Sequence, residues 1–182
     1  MKRFLLFPAL SYIIGGKFYR TFDGKFHSFG GSCQYLLTGD FLVQNWTIIT
    51  EGEDDVREII FSADDEEVIL TRNGTILHGN NQVEIPLTES FAEAEPTRFG
   101  SFEAYRYDLV GEVVEVSRRY SGISVSCLLN NSVCTVRMRS YLYGRAMGLL
   151  GTNNLESYDE FSSPDGEVHG SINCLSKADR VS

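Results

Sequence analysis

The fold class is indicated by a stretch near the amino terminus, Phe18-Tyr19-Arg20-Thr21-Phe22-Asp23-Gly24-Lys25-Phe26-His27-Ser28-Phe29. Two runs rich in aromatic residues lie on either side of Asp23-Gly24, and aromatic side chains favour strands. Asp-Gly is the dipeptide typical of a two-residue hairpin turn. The stretch therefore predicts a β-hairpin.

Further short runs rich in β-branched and aromatic residues follow at close spacing, separated by turn dipeptides such as Gly39-Asp40, Asp64-Asp65 and Asn73-Gly74. We expect strands in Cys33–Leu37, Phe41–Thr50, Glu58–Ser62, Glu67–Thr71, Thr75–Leu77, Gln82–Ile85, Ser101–Val110, Glu112–Val116, Gly122–Cys127 and Cys134–Met138. Leu87–Gly100 reads as an irregular crossing, and Tyr143–Met147 as the best place for a short helix. The pattern predicts an all-β fold, an antiparallel sandwich or flattened barrel of short strands with long loops and at most one or two short helices.

Length and charge limit the domain count and the possible partners. The 182 residues suffice for one domain, which we place at residues 11–182. Residues 1–10 are basic and then apolar, so they are a short secretory signal, an extension, or a product of where the chain was cut. The net charge of -9 disfavours nucleic acid. No apolar run reaches the ~18 residues that a transmembrane helix needs.

The four cysteines contain no CxxC pair, which argues against a zinc ribbon or a thioredoxin-like site. Cys127 and Cys134 flank the loop between two predicted strands, so we expect a disulfide across that hairpin. Cys33 and Cys174 then remain to form the second bridge. Three glycosylation sequons begin at Asn45, Asn73 and Asn130. Paired cysteines and sequons together favour a secreted, extracellular glycoprotein.

Near the carboxyl end, Gly148–Phe161 contains Gly, Thr, Asn and acidic residues between apolar positions, which predicts an ordered loop. Calcium binds six to eight oxygen ligands. Such ligands are available here from the side chains of Asn154, Asp159 and Glu160 and the carbonyl of Glu156, with Asp23 completing the shell. The alternative is a solvated loop in which Asn and Asp only supply turn geometry.

The sequence offers little catalytic chemistry. The three histidines, His27, His78 and His169, lie in unrelated contexts, and no HExxH, GxSxG or phosphate-binding glycine loop is present. We therefore expect no enzymatic activity.

Several motifs together resemble the von Willebrand factor type D domain. Thr21-Phe22-Asp23-Gly24 is similar to the opening TFDG signature of that family, and Gly30–Leu37 to the G-x-C-x-Y-x-L segment that follows it. The stretch from Gly148 through Gly166 resembles the closing C-G-L-C-G-N signature, with its D-[DE]-F and P-[DN]-G parts. The resemblance runs from about Ile13 to Cys174 and implies a β-sandwich.

The resemblance also implies a structural calcium site. Its ligands would be Asp23, Asn154, the carbonyl of Glu156, Asp159 and Glu160, with Thr152 where the family usually has asparagine. Met147 and Leu150 stand where multimerising members have cysteines, so disulfide-linked polymerisation through this motif is excluded.

A closing loop without those cysteines is similar to that of the type D domain in insect apolipophorins and related lipid transfer proteins, which include vitellogenins. This implies a non-enzymatic, calcium-binding module of a large lipid transport protein, acting in assembly, recognition or receptor contact. Its partners would be other domains of the carrier or a protein receptor, with lipid contacted only indirectly. The alternative is a structural adhesion or clotting protein of the mucin and von Willebrand class.

Overall fold

The computed structural model describes residues 8–28, 34–40, 42–52, 58–108, 110–128 and 132–155. The strands of this part are β1 Ala9–Ile14, β2 Phe18–Arg20, β3 Phe26–Ser28, β4 Tyr35–Asp40, β5 Trp46–Glu51, β6 Glu58–Ala63, β7 Glu66–Leu70, β8 Ile76–His78, β9 Asn81–Val83, β10 Leu87–Thr88, β11 Thr97–Phe99, β12 Phe102–Asp108, β13 Glu112–Arg118, β14 Ile123–Leu128, β15 Val133–Met138 and β16 Ala146–Met147. Short 3-10 helices lie at Phe91–Glu93 and Ser140–Leu142.

The strands form two mainly antiparallel sheets, which confirms the predicted all-β sandwich. The nine-stranded sheet has the order β10-β12-β13-β14-β15-β1-β2-β3, with β11 also paired to β12. The seven-stranded sheet has the order β16-β4-β5-β6-β7-β8-β9. Among the residues described, no helix has the length and apolar character needed to cross a bilayer.

The core lies between the two sheets and is built from alternate residues of their strands. In the nine-stranded sheet, Val116, Val125 and Val136 pair across three neighbouring strands and are fully buried. Phe61 of β6 meets Phe102 of β12 edge to face at 5.1 Å. Aromatic pairs in this geometry stabilise beyond the area they bury.

The β14–β15 hairpin carries the predicted disulfide. Cys127 and Cys134 are directly opposite in the register, with Cα atoms 4.1 Å apart, and their sulfur atoms are bonded. Both cysteines are buried on the core side of the sheet. The predicted Cys33–Cys174 bridge lies outside the described residues and stays a prediction.

Two expectations about local structure are wrong. Gly39-Asp40 does not break the chain: both residues belong to β4 and pair with Met147 and Ala146 of β16. The glycine also relieves a close contact, since a Cβ there would lie 3.3 Å from Thr47 Cγ2 on the neighbouring strand. The short helix expected at Tyr143–Met147 is at Ser140–Leu142 instead, because the backbone of Ala146–Met147 pairs with β4.

The segment 87–100 is also more regular than expected. It contains the short strands β10 and β11, which both pair with β12, and a 3-10 turn between them. Phe91 of that turn packs edge-on against Tyr107, with ring centroids 5.2 Å apart. The aromatic contact holds the crossing against the outer side of the nine-stranded sheet.

Acidic residues at the β6–β7 turn connect the two sheets. Asp64 accepts two hydrogen bonds from Arg118 of β13, at 2.8 and 2.6 Å. Glu66 accepts the backbone N–H of Ser101 at 3.0 Å and its hydroxyl at 2.9 Å, and its other contact is His78 Nε2 at 3.0 Å. The Ser101 N–H, above all, holds the pKa of Glu66 below its usual value. This acidic turn therefore contributes to the contact between the sheets.

We predict that Glu66→Ala lowers the free energy of unfolding by about 1–2 kcal/mol at pH 7, because hydrogen bonds to an ionised group are lost. A lowered carboxyl pKa adds stability above the unfolded pKa, near 4.5, and this stability is lost as the pH falls through the folded pKa. The difference in free energy of unfolding between wild type and Glu66→Ala should therefore shrink below about pH 4.5. Urea unfolding at several pH values measures it, with Glu67→Ala at the neighbouring exposed position as control. Equal losses in both variants would contradict the prediction.

Candidate metal centre and closing loop

We call Gly148–Phe161 the closing loop; residues 148–155 of it are described. It continues directly from β16 and runs beside β4. The N–H groups of Leu149 and Leu150 donate to the carbonyls of Leu36 and Leu37, at 3.0 and 2.9 Å. Gly148 has a φ of 122°, and a Cβ there would lie 2.6 Å from the Leu37 carbonyl oxygen. Only glycine permits this approach.

The carbonyls of the same two leucines bond to the other sheet. The Leu150 carbonyl accepts the N–H of Phe22 at 2.9 Å. The Leu149 carbonyl accepts a hydrogen bond from His27 Nε2 at 2.8 Å. Leu149–Leu150 is thus hydrogen-bonded on one side to the seven-stranded sheet and on the other to the β2–β3 hairpin. Both side chains are at most 1% exposed and belong to the core.

Asp23 binds the next part of the closing loop. Its Oδ2 accepts the N–H of Asn154 and its Oδ1 accepts the N–H of Leu155, both at 3.0 Å. Asn153 and Leu155 have positive φ values of 54° and 65°. This backbone presents successive N–H groups to the carboxylate, an arrangement that favours anions. The sequence-based link between Asp23 and the loop is therefore present as direct contacts.

The turn of the β2–β3 hairpin is one residue longer than the expected two-residue turn. Thr21 N–H donates to the Lys25 carbonyl at 2.9 Å, so the loop contains Phe22, Asp23 and Gly24 rather than two residues. The additional residue, Phe22, is 8% exposed and packs inward. This geometry places the Phe22 N–H against Leu150 and aims the Asp23 carboxylate at the closing loop.

Further hydrogen bonds hold the loop against residues 138–144. The Asn153 carbonyl accepts the N–H of Gly144 at 2.7 Å, and the Asn154 carbonyl accepts the hydroxyl of Tyr143. The Asn153 side chain, 5% exposed, donates to the sulfur of Met138. Asn153 and Asn154 are therefore each held by more than one protein contact.

The predicted calcium ligands divide into two groups. Asp23, Thr152 and Asn154 are described, and the structure brings Asp23 against the backbone of Asn154. The carbonyl of Glu156 and the side chains of Asp159 and Glu160 lie outside the described residues. Within the described part, no three His, Cys, Asp or Glu side chains are grouped to hold a metal.

The described half of the site fits a hard cation chemically. A carboxylate has about four lone-pair positions, and the two N–H donors use two of those on Asp23. The remaining positions can face a cation, which prefers anionic oxygen. Asp23, Thr152 and Asn154 would supply oxygen from the described side of the loop.

Met147 and Leu150, which the resemblance to the type D family aligns with cysteines, are closed to solvent. Met147 is 5% exposed and Leu150 is fully buried. Both are apolar and buried, and Leu150 belongs to the core between the sheets, so the described part of this loop is held by hydrogen bonds and packing.

A buried ion pair that the sequence reading missed supports the start of β16. The Asp40 side chain is fully buried and accepts the N–H groups of Leu42 and Val43, at 3.0 and 3.1 Å. Its other oxygen accepts a hydrogen bond from Arg145 Nη2. The residues are 105 positions apart, so no local pattern could have paired them.

His27 is a second residue whose role the sequence did not reveal. Its ring stacks on Tyr19 with centroids 5.1 Å apart. Since a carbonyl can only accept, Nε2 carries the proton in the bond to Leu149. Burial, more than any other cause, lowers the pKa of His27 below 6.5. The neutral ring is thus the form that the fold favours.

We predict that acidification from pH 7.5 to 5.5 destabilises the protein through His27. A lowered histidine pKa means that the unfolded chain binds the proton first, so stability falls as the pH drops through 6.5 toward the folded pKa. In His27→Gln, whose amide can still donate to Leu149, the melting temperature should fall less over this range. Parallel curves for wild type and His27→Gln would refute this role.

Comparison with known proteins places this architecture in a family. Residues 11–167 match the family described as the von Willebrand factor type D domain. The chain is 29% identical over 177 residues to apolipophorins of Locusta migratoria, a match that covers 96% of this chain. It is 26% identical over 193 residues to otogelin-like protein of Homo sapiens, covering 96% of this chain. It is also 24% identical over 158 residues to von Willebrand factor of Bos taurus, covering 86% of it.

These relatives are far longer than the matched region. The chain spans 5% of the locust apolipophorins, 7% of the otogelin-like protein and 15% of von Willebrand factor. The comparison thus concerns a small part of each relative. The family match covers residues 11–167, which is most of the chain. The chain therefore belongs to the von Willebrand factor type D domain family.

Proposed function

We propose that this chain is a non-enzymatic, calcium-stabilised extracellular module of a larger lipid transport protein of the apolipophorin class. It would act in assembly, recognition or receptor contact, and would meet lipid only through the rest of the carrier. The observation that carries the proposal is the contact of the Asp23 carboxylate with the closing loop, at the place where calcium ligands are expected.

The calcium part rests on charge and position. Asp23 brings a carboxylate from the β2–β3 hairpin to a loop whose next residues include Glu156, Asp159 and Glu160. A cation bound there would join the hairpin and the loop by metal coordination, in addition to the hydrogen bonds already present. The non-enzymatic part of the proposal is supported by the two described histidines, which make structural contacts. His27 bonds to the Leu149 carbonyl, and His78 bonds to Glu66.

The extracellular location is supported by the Cys127–Cys134 disulfide, since such bonds persist in oxidising compartments. It is further supported by the sequon at Asn73, an exposed residue in the turn between β7 and β8. Both features are compatible with a secreted glycoprotein.

Of the two protein classes considered, a lipid carrier of the apolipophorin class is favoured over an adhesion or clotting protein. Several of the similar proteins are apolipophorins, including those of Locusta migratoria and Drosophila melanogaster. Met147 and Leu150 occupy buried positions where multimerising relatives would need reactive cysteines. The role of a whole carrier is inferred from relatives of which this chain spans only a small part.

We predict that calcium raises the melting temperature by about 5–10 °C at ~100 times its Kd, because a ligand that binds only the native state stabilises it by mass action. Asp159→Ala should melt like wild type in EDTA and lose the calcium response. Asp23→Asn should melt lower in both conditions, because one backbone N–H also loses its acceptor.

Differential scanning calorimetry with EDTA and with calcium measures these three proteins, and Asp65→Asn at an exposed turn is the control. Identical wild-type curves in EDTA and in millimolar calcium would refute the calcium site. A calcium response that survives Asp159→Ala would place the ion elsewhere.

We also predict that Asn73 carries a glycan when the protein is secreted from eukaryotic cells, whereas Asn45 does not. Asn73 is exposed, but the Oδ1 of Asn45 is buried and has no hydrogen-bond partner. Glycosidase treatment in heavy-oxygen water followed by peptide mass spectrometry marks each occupied site. A glycan on Asn45, or none on Asn73, would contradict the prediction. The third sequon, at Asn130, lies outside the described residues.

A further inference from the structure

The outer surface of β1–β3 combines exposed apolar side chains with a cation. Phe26 is 73% exposed, Phe18 is 51% exposed and Ile14 is 47% exposed. Together with Tyr12 and Arg20 they form what we call the aromatic–cationic face. Single exposed apolar residues are common on protein surfaces, but a contiguous group marks a contact site.

The strand register makes these five residues neighbours. Tyr12 is opposite Arg20, Arg20 is opposite Phe26, and Ile14 is opposite Phe18. The intervening residues Ile13 and Tyr19 point into the core and are at most 3% exposed. The face is therefore the regular outward side of the sheet, and the register sets which of its side chains are neighbours.

Arg20 is held at the centre of this face by its neighbours. Its guanidinium lies 5.7 Å from the centroid of the Tyr12 ring and 6.0 Å from that of Phe26. It donates to the Leu10 carbonyl at 3.2 Å. Further along the same sheet Arg137 is paired with Glu115 at 3.1 Å, whereas Arg20 forms no ion pair with a carboxylate of the described residues.

Arg20 is the charged residue among the five of this face, and the ion pairs of the described residues do not include it. A partner that brings negative charge to the face would place a carboxylate beside this cation, and complementary charges across an interface favour one partner over others.

The face also contains a depression. It has a volume of about 250 Å³ and is bordered by Ile14, Phe18, Arg20 and Phe26. Apolar walls beside a cation suit a protruding apolar side chain with an adjacent carboxylate, which polypeptides provide. Aromatic residues and arginine are enriched in protein interfaces.

We propose that the aromatic–cationic face binds an acidic polypeptide segment that contains aromatic or large aliphatic residues. The inference rests on the proposed function, since it names the surface by which the module contacts another domain or a receptor. A second copy docking through the same face is disfavoured, because an isologous contact would bring the two cationic faces together.

The test is a selection of phage-displayed random twelve-residue peptides on the complete chain, followed by fluorescence anisotropy with the selected peptides. We expect enriched peptides to carry net negative charge and at least one aromatic or large aliphatic residue. Their affinity should fall at least tenfold for Arg20→Glu and for Phe26→Ser. It should also weaken between 50 and 300 mM salt, as screening predicts.

Matched controls change the same residue types elsewhere on the surface. Arg72→Glu alters an exposed arginine of the β7–β8 turn, and Tyr120→Ser removes an aromatic ring that is 95% exposed. Both should bind the selected peptides like wild type. All variants are first melted with EDTA and with calcium, so that loss of folding or of the calcium response is separated from loss of peptide binding. If Arg20→Glu does not fold, Phe26→Ser carries the test, since its side chain is largely exposed.

Three outcomes would overturn the proposal. The first is no enrichment, or peptides that bind Arg20→Glu and Phe26→Ser as well as wild type. The second is binding to lipid in place of peptide. The chain would then float with phosphatidylcholine vesicles containing 30 mol% phosphatidylserine, and Phe26→Ser would not, which would assign the face to lipid. The third is a concentration-dependent dimer in sedimentation velocity that Phe26→Ser abolishes, which would assign it to a second copy.

Discussion

The structure depends on one two-residue segment, Leu149–Leu150, that hydrogen-bonds to both sheets. Its N–H groups donate to Leu36 and Leu37 of β4, and its carbonyls accept from His27 and Phe22 of the hairpin. Sandwich sheets normally meet through side chains alone. Here three backbone hydrogen bonds and one from the His27 side chain link the two sheets through this segment, so the loop fixes how the hairpin and β4 are placed relative to each other.

Packing and charge reinforce this backbone bridge. Leu149 and Leu150 are buried in the core, where truncation of either side chain to Ala would leave a cavity costing about 2–5 kcal/mol. Asp23 extends the bridge by binding the N–H groups of Asn154 and Leu155. The calcium ion that we propose would act at this same point and would add metal coordination to the hydrogen bonds made by the described part of the loop.

Local signals in the sequence predicted the elements that depend on nearby residues. The β2–β3 hairpin follows from its aromatic runs and Asp-Gly, and the Cys127–Cys134 disulfide from the hairpin around it. The errors arise where distant residues decide the structure. Gly39-Asp40 has the composition of a turn, yet pairing with β16 keeps it in a strand. The link between Asp23 and the loop was inferred from a motif resemblance, whereas the hydrogen bonds of His27 to Leu149 could only be seen in three dimensions.

Native-state hydrogen exchange of the Leu149 and Leu150 amides tests the central claim most directly. If these residues join the two sheets, their amides should exchange only through global unfolding, as slowly as those of central core strands such as Ile48 and Val125. Exchange at the rate of an exposed turn, while Ile48 and Val125 remain protected, would show that the closing loop opens independently and would contradict the account.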